Sequence, residues 1–148
     1  IAMVMYYYGI RPQQAGQQLE DELYEWCDRR CGEGSQTDNL VLVRLAQAYG
    51  FNASFSTTRT WSQIRSQLIQ GYPVVIGGYF THSGHIVCLV GYTPQGYIVN
   101  DPYGNALSGY QDTNGRKLLY SNAYMNQMCA PEGDGNIWAH FITPKPKS

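Results

Sequence analysis

The chain changes hydrophobic period at Tyr72, and that change limits the architectures open to it. Before that point the apolar residues recur at helical spacing. "AGQQLEDELYEWCDRRCGEG" sets Leu19, Leu23, Trp26 and Cys27 three or four apart, with acids early and arginines late as the helix dipole favours, and stops near Gly32. "TDNLVLVRLAQAYG" offers Thr37 or Asp38 as cap, Leu40, Val43, Leu45 and Ala48 among its apolar positions, and Gly50 as its end. "TWSQIRSQLIQG" carries a Thr60-x-x-Gln63 capping box and closes at Gly71. "IAMVMYYYG" reads as a helix without a cap that ends at Gly9, and "FNASFST" as a short strand. Beyond Tyr72, "YPVVIGGYF", "HIVCLVGYT" and "YIVN" are Val- and Ile-rich runs separated by "THSG" and "PQG", a strand meander. "NALSGYQDTNGRK" is a loop with a tight turn at Asn114-Gly115. "YSNAYMNQMC" is a short helix or irregular segment, and "NIWAHFI" is a closing strand. The expectation is one α+β domain over residues 1–143, N-terminal helices packed on a C-terminal antiparallel sheet, with a tail at 144–148.

A chain of 148 residues with 43% hydrophobic and 14% charged content is long and apolar enough to bury a core. A net charge of -1, with no basic run longer than Arg29-Arg30, leaves no footprint for nucleic acid. No apolar run approaches the roughly 20 residues that span a bilayer, so no membrane span is expected. Cys27, Cys31, Cys88 and Cys129 are too sparse for a disulfide framework and match no zinc spacing. No cofactor is expected. The uncapped, Met-less start suggests a short segment before Ile1; any signal peptide would lie there, and the compartment stays open.

One residue interrupts the apolar strands. His85 opens "HIVCLVGYT" behind a glycine, and Asp101 lies sixteen residues on, inside "VNDPYG". If Pro94, Gln95 and Gly96 form a three-residue hairpin loop, Thr93 pairs near Tyr97 and Asp101 falls opposite Leu89. Residues 85, 87 and 89 share a face, yet such a ladder leaves His85 and Asp101 about 13 Å apart along the strand. They meet only if the chain bends after Asn100, and Pro102, which removes a ladder donor, permits this. An imidazole held by a carboxylate is the general-base half of a nucleophilic triad. A strand-edge histidine and a turn aspartate account for the same spacing, and residue spacing alone leaves both readings open.

"GYPVVIGGYFTHSGHIVCLVGYTPQGYIVNDPYG", with "IAMVMYYYG" upstream, resembles the C39-like cysteine peptidases, papain-like hydrolases with Gly-x-Pro-Val, Gly-His and Asn-Asp-Pro blocks. The resemblance covers most of residues 1 to 104. It implies that His85 is the base and Asp101 its orienting acid. It also implies a catalytic cysteine about five positions before Ile1, at the N-terminus of the apolar helix where the dipole lowers a thiol pKa. A glutamine a few residues earlier would supply the oxyanion donor. The 148-residue chain by itself is then expected to be inert.

The cysteines inside the chain are poor substitutes. Cys88 follows His85 by three in one strand and points to the opposite face. Cys27 and Cys31 share a helix face and read as packing residues, a strained disulfide or half a metal site. His82 and His85 could begin a metal site but find no third ligand by spacing. Cys129 reads as a loop residue and His140 as a structural histidine in the last strand. Thirteen tyrosines, among them Tyr6, Tyr7 and Tyr8 on the first helix and Tyr79, Tyr92, Tyr97, Tyr103 and Tyr110 near His85, suit packing or a polar, extended ligand. Two classes remain. One is a thiol hydrolase acting on a peptide, isopeptide or cell-wall peptide bond. The other is an inactive binding or structural module of the same fold. In either case the chain could belong to a larger parent protein or assembly.

Overall fold

The computed structural model describes residues 1–146; Lys147 and Ser148, in the expected tail, lie outside the described residues. Two compact units are distinguished: residues 1–55 with the chain from 142, and residues 56–141.

In the first unit, α1 (Ala2–Tyr7) buries Val4 and Met5 and has no side-chain cap. Helix α2 (Leu19–Cys31) buries Leu19, Leu23 and Cys27, an i, i+4, i+8 stripe, with Glu20, Asp21 and Glu22 in its first turn and Arg29 and Arg30 in its last. Trp26 leaves that stripe and carries the Arg30 guanidinium over its ring at 5.4 Å. Of the two candidate caps for α3 (Asn39–Ala48), Asp38 acts: its carboxylate accepts from the Leu40 amide at 2.9 Å. Thr37 closes a 3-10 turn instead. The buried stripe of α3 is Val41, Leu42, Leu45 and Ala46, one step round from the expected one, and Leu40 is 66% exposed. Helix α2 packs against α1 and α3.

Six strands, β1 (Phe51–Arg59), β2 (Val74–Gly78), β3 (His85–Thr93), β4 (Gly96–Asn100), β5 (Leu118–Ser121) and β6 (Ile137–Pro144), form one sheet in the order β1-β6-β2-β3-β4-β5. The first of these is longer than "FNASFST" suggests. Strand β5 is absent from the sequence reading, because four residues are too few for alternation to show. It exists through pairing, with Leu118 to Ser121 laddered against Val99 to Gly96.

On the core face of the second unit lie α4 (Trp61–Ile69) and α5 (Asn122–Cys129). Helix α4 packs on β2 and β3, and α5 on β2, β4 and β5. Ile64, Leu68, Val74, Ile76, Val87, Leu89, Val99 and Met125 are buried together there. Each such side chain contributes about 1.5–3 kcal/mol relative to exposure. Helix α4 starts at Thr60 because the predicted capping box forms: Thr60 Oγ1 accepts from the Gln63 amide at 3.1 Å and Gln63 Oε1 accepts from the Thr60 amide at 3.0 Å. Losing a threonine cap costs about 1 kcal/mol. Thr60→Ala should therefore lower the unfolding free energy by about that amount in a urea titration. Ser66→Ala, on the exposed side of the same helix, should change it by less than about 0.5 kcal/mol.

Candidate active site

His85 and Asp101 do meet, and the sheet register brings them much closer than the ideal ladder would. The β3–β4 loop has two residues, with Thr93 paired to Gly96, so the strand partners shift by one from the expected set. A bulge between Leu89 and Gly91 shifts them by one more, and below it Cys88 pairs with Asn100. Continuing that register puts Asp101 beside Val87, two positions from His85 on the same face. The offset along the strand becomes roughly 7 Å, within reach of a diagonal cross-strand pair. The chain turns just past Asp101, where the Gly104 amide donates to the Asp101 carbonyl at 3.1 Å, and the Asp101 amide donates to the Gly115 carbonyl at 2.8 Å.

His85 Nε2 and Asp101 Oδ1 are 2.6 Å apart, with side chains 7% and 0% exposed. The remaining acceptor sites of Asp101 are also filled. Oδ1 accepts the Tyr103 amide at 3.0 Å, and Oδ2 accepts the hydroxyls of Tyr110 and Tyr120, each at 2.9 Å. Burial alone would raise the Asp101 pKa; the bonds from His85, the Tyr103 amide and Tyr120 outweigh it and hold the carboxyl below its usual value. Burial, followed by the bond to Asp101, pushes the Tyr110 phenol up. The backbone seat is narrow, because a Cβ at Gly115 would overlap the Asp101 carbonyl oxygen.

Aromatic rings surround the imidazole. Tyr103 stacks on it at 4.1 Å and 14°, while Tyr110 and Phe80 stand edge-on at 5.9 and 6.3 Å. Of the five tyrosines expected near His85, Tyr103 and Tyr110 are there. Tyr97 instead stacks on Trp61 and accepts from Arg65, and Tyr92 contacts Tyr97; Tyr79, 64% exposed, directly follows Gly78, the strand partner of His85. Tyr120 and Phe80 escaped the sequence reading. Nothing in the sequence marks Tyr120, because β5 is too short for alternation to show which way its side chain faces.

The four cysteines are free. Cys88, on the face away from His85, is raised by burial to about 11. Cys129 is the last residue of α5 rather than a loop residue, because Ser121 caps a regular helix over Asn122–Cys129. Its sulfur fills the space beside Gly78, the strand partner of His85: a Cβ there would lie 2.9 Å from Sγ. Burial pushes that thiol far above its ordinary value. Burial likewise raises Cys27. His82 is exposed in the turn before β3. His140 is 2% exposed in β6, and burial brings it down to about 4. Among the described residues, no three His, Cys, Asp or Glu side chains are grouped to hold a metal. No described helix is long and apolar enough to cross a membrane.

With Nε2–H given to Asp101, the lone pair of His85 lies on Nδ1, and the ionised carboxylate stabilises the imidazolium once that nitrogen takes a proton. The chain belongs to the Peptidase_C39 like family, whose model matches residues 1–130. Solved structures share its fold, among them these two. The peptidase domain of Streptococcus ComA, a bi-functional ABC transporter involved in a quorum-sensing pathway, is 16% identical with a TM-score of 0.63, over 97% of this chain and 87% of that one. A double glycine motif protease from an AMS/PCAT transporter, in complex with the leader peptide, is 19% identical with a TM-score of 0.60, over 97% and 80%. No curated protein sequence matches the chain.

Two titrations follow. Unfolded histidine takes its proton near 6.5 and folded His140 at about 4, so this residue's contribution to stability is whole above 6.5 and is lost as pH falls towards 4. Asp101, held below 3.8, contributes above that value and loses its contribution beneath it. Unfolding free energies from urea titrations at several pH values should show both declines. His140→Leu should remove the upper one and Asp101→Asn should reduce the lower. An upper decline that survives His140→Leu would refute the assignment.

Proposed function

We propose that the protein is a papain-like thiol hydrolase that cleaves peptide or isopeptide bonds, with His85 as base and Asp101 as the residue that orients it. The observation that carries this reading is the 2.6 Å contact between His85 Nε2 and a fully buried Asp101 in a chain of this family. The nucleophile is assigned to a cysteine upstream of Ile1, where the family's cysteine aligns. Support comes from the thiols within the chain: Cys88 lies on the wrong face and, like Cys129, is held as a thiol by burial.

In this mechanism His85 Nδ1 takes the thiol proton, and the thiolate attacks the substrate carbonyl carbon. The imidazolium returns its proton to the leaving amine as the C–N bond breaks. His85 then takes a proton from water, whose oxygen attacks the thioester carbonyl; as the C–S bond breaks the imidazolium gives that proton to the departing sulfur, leaving the carboxylic acid product and the free thiol. Asp101 remains ionised throughout. A peptide is the substrate class that the leader-peptide complex of the AMS/PCAT protease supports, and both structural neighbours come from transporters, which supports a larger parent protein.

The test extends the chain upstream through the aligned cysteine. That thiol should react with iodoacetamide faster than a free thiol at neutral pH, and His85→Ala should slow the reaction. The extended protein should hydrolyse peptides or cell-wall stem peptides, and assaying both separates these substrates. The 148-residue chain should lose on the order of a millionfold in turnover, as removal of a covalent nucleophile does. An extended protein with ordinary thiol reactivity and no hydrolysis would point to a binding module. Hydrolysis by the 148-residue chain that is abolished by Cys27→Ser, Cys31→Ser or Cys129→Ser would overturn the assignment of the nucleophile.

A further inference from the structure

Two phenol groups from separate parts of the chain converge on one oxygen of Asp101. Tyr120 comes from β5 with 0% exposure, and Tyr110 from the loop after the 3-10 turn Ala106–Ser108. Both donate to Oδ2 at 2.9 Å, opposite the oxygen that meets His85. Tyr120 is itself fixed, because the Ala106 amide donates to its hydroxyl oxygen at 3.0 Å and leaves its O–H directed to the carboxylate. Tyr110 sits at φ +64, a left-handed backbone that costs an L-residue on the order of 1 kcal/mol. From there its ring stands edge-on to both His85 and Tyr103, at 84° and 83°, and its hydroxyl reaches Asp101. A strained residue whose polar atom ends on a buried carboxylate marks a constraint beyond packing.

An aspartate carboxyl group turns easily, because its last torsion is broad and roughly two-fold. Donors on the far oxygen stop that rotation. Being neutral, they also stabilise the charge without adding a cation that would compete with a protonated His85. The titratable groups facing Asp101 are His85 from β3, Tyr110 from the loop, Tyr120 from β5 and Tyr124 from α5. Burial first, then Asp101, raises the phenols of Tyr110 and Tyr120, so both remain donors through neutral pH.

We propose that Tyr110 and Tyr120 are positioning residues: by occupying Oδ2 together they aim Oδ1 at His85 and hold its imidazole as the Nε2–H tautomer, leaving Nδ1 as the base. The inference rests on the reading of His85 as a base and supplies the device that keeps it poised.

The experiment is ring nitrogen–proton NMR of His85, with carbon NMR of the Asp101 carboxyl group, on the 148-residue chain itself. The unsubstituted protein should show the Nε2–H pattern. Tyr110→Phe and Tyr120→Phe should each weaken it, and the double variant should collapse to averaged tautomers while the Asp101 carboxyl titrates at higher pH. Tyr92→Phe should change neither signal. Phenylalanine keeps each ring, and amide spectra report folding; if the double variant unfolds, Tyr110→Phe alone decides. A folded double variant, or in that case a folded Tyr110→Phe, with the original tautomer and carboxyl titration overturns the proposal. In the extended protein, the double variant should lower kcat roughly tenfold with KM changed less than about twofold. The NMR readout needs no turnover. Altered tautomers without hydrolysis would sink the thiol-hydrolase reading alone, and hydrolysis with unaltered tautomers would sink this inference alone.

Discussion

A carboxylate withdrawn from water has to be satisfied by donors, and much of the chain from residue 100 to 120 is arranged to supply them to Asp101. Its side chain is 0% exposed. Leaving such a charge unpaired would cost far more than a folded domain of this size can spare. The imidazole, one amide and two phenols meet the demand. The surrounding backbone follows from that arrangement: the Asp101 amide bonds to Gly115, where no side chain would fit, and Asn100 accepts from the Lys117 amide at 2.8 Å.

Whether the imidazole reaches this carboxylate depends on strand register. A hairpin loop one residue shorter than expected and one bulge each move Asp101 a position closer to His85. Because side chains alternate with period two, a shift of two keeps both residues on one face while halving their offset. A shift of one would have turned Asp101 away. The bulge is thus a structural requirement of the pair, placed where bulges commonly re-aim side chains.

Burial decides which titratable groups are chemically available. Cys129 lies beside the strand partner of His85, yet it is buried among apolar groups that suppress ionisation. His140 is kept neutral in β6 by the same cause. His85 differs in having a carboxylate partner and aromatic neighbours rather than an aliphatic surround.

The α+β class, the Thr60–Gln63 capping box and the principal strands were legible in the sequence because they rest on short-range periodicity, caps and turns. The Gly-His and Asn-Asp-Pro blocks pointed to His85 and Asp101 only through the family resemblance, because their spacing suits a strand-edge histidine and a turn aspartate as well. Strand β5, the helix over Asn122–Cys129, the buried side of α3 and the place of Trp26 outside the buried stripe of α2, under the Arg30 guanidinium, were poorly marked or unmarked. Each is decided by what a segment packs or pairs against. Tyr120 is the clearest case, nineteen residues from Asp101 in the chain and one hydrogen bond from it in space. The sequence by itself determined the order and type of most elements, since those follow from neighbours within a few residues. Only the tertiary structure decided the register, the bulge and the four donors around the carboxylate, because these depend on contacts between strands and loops that local spacing does not encode.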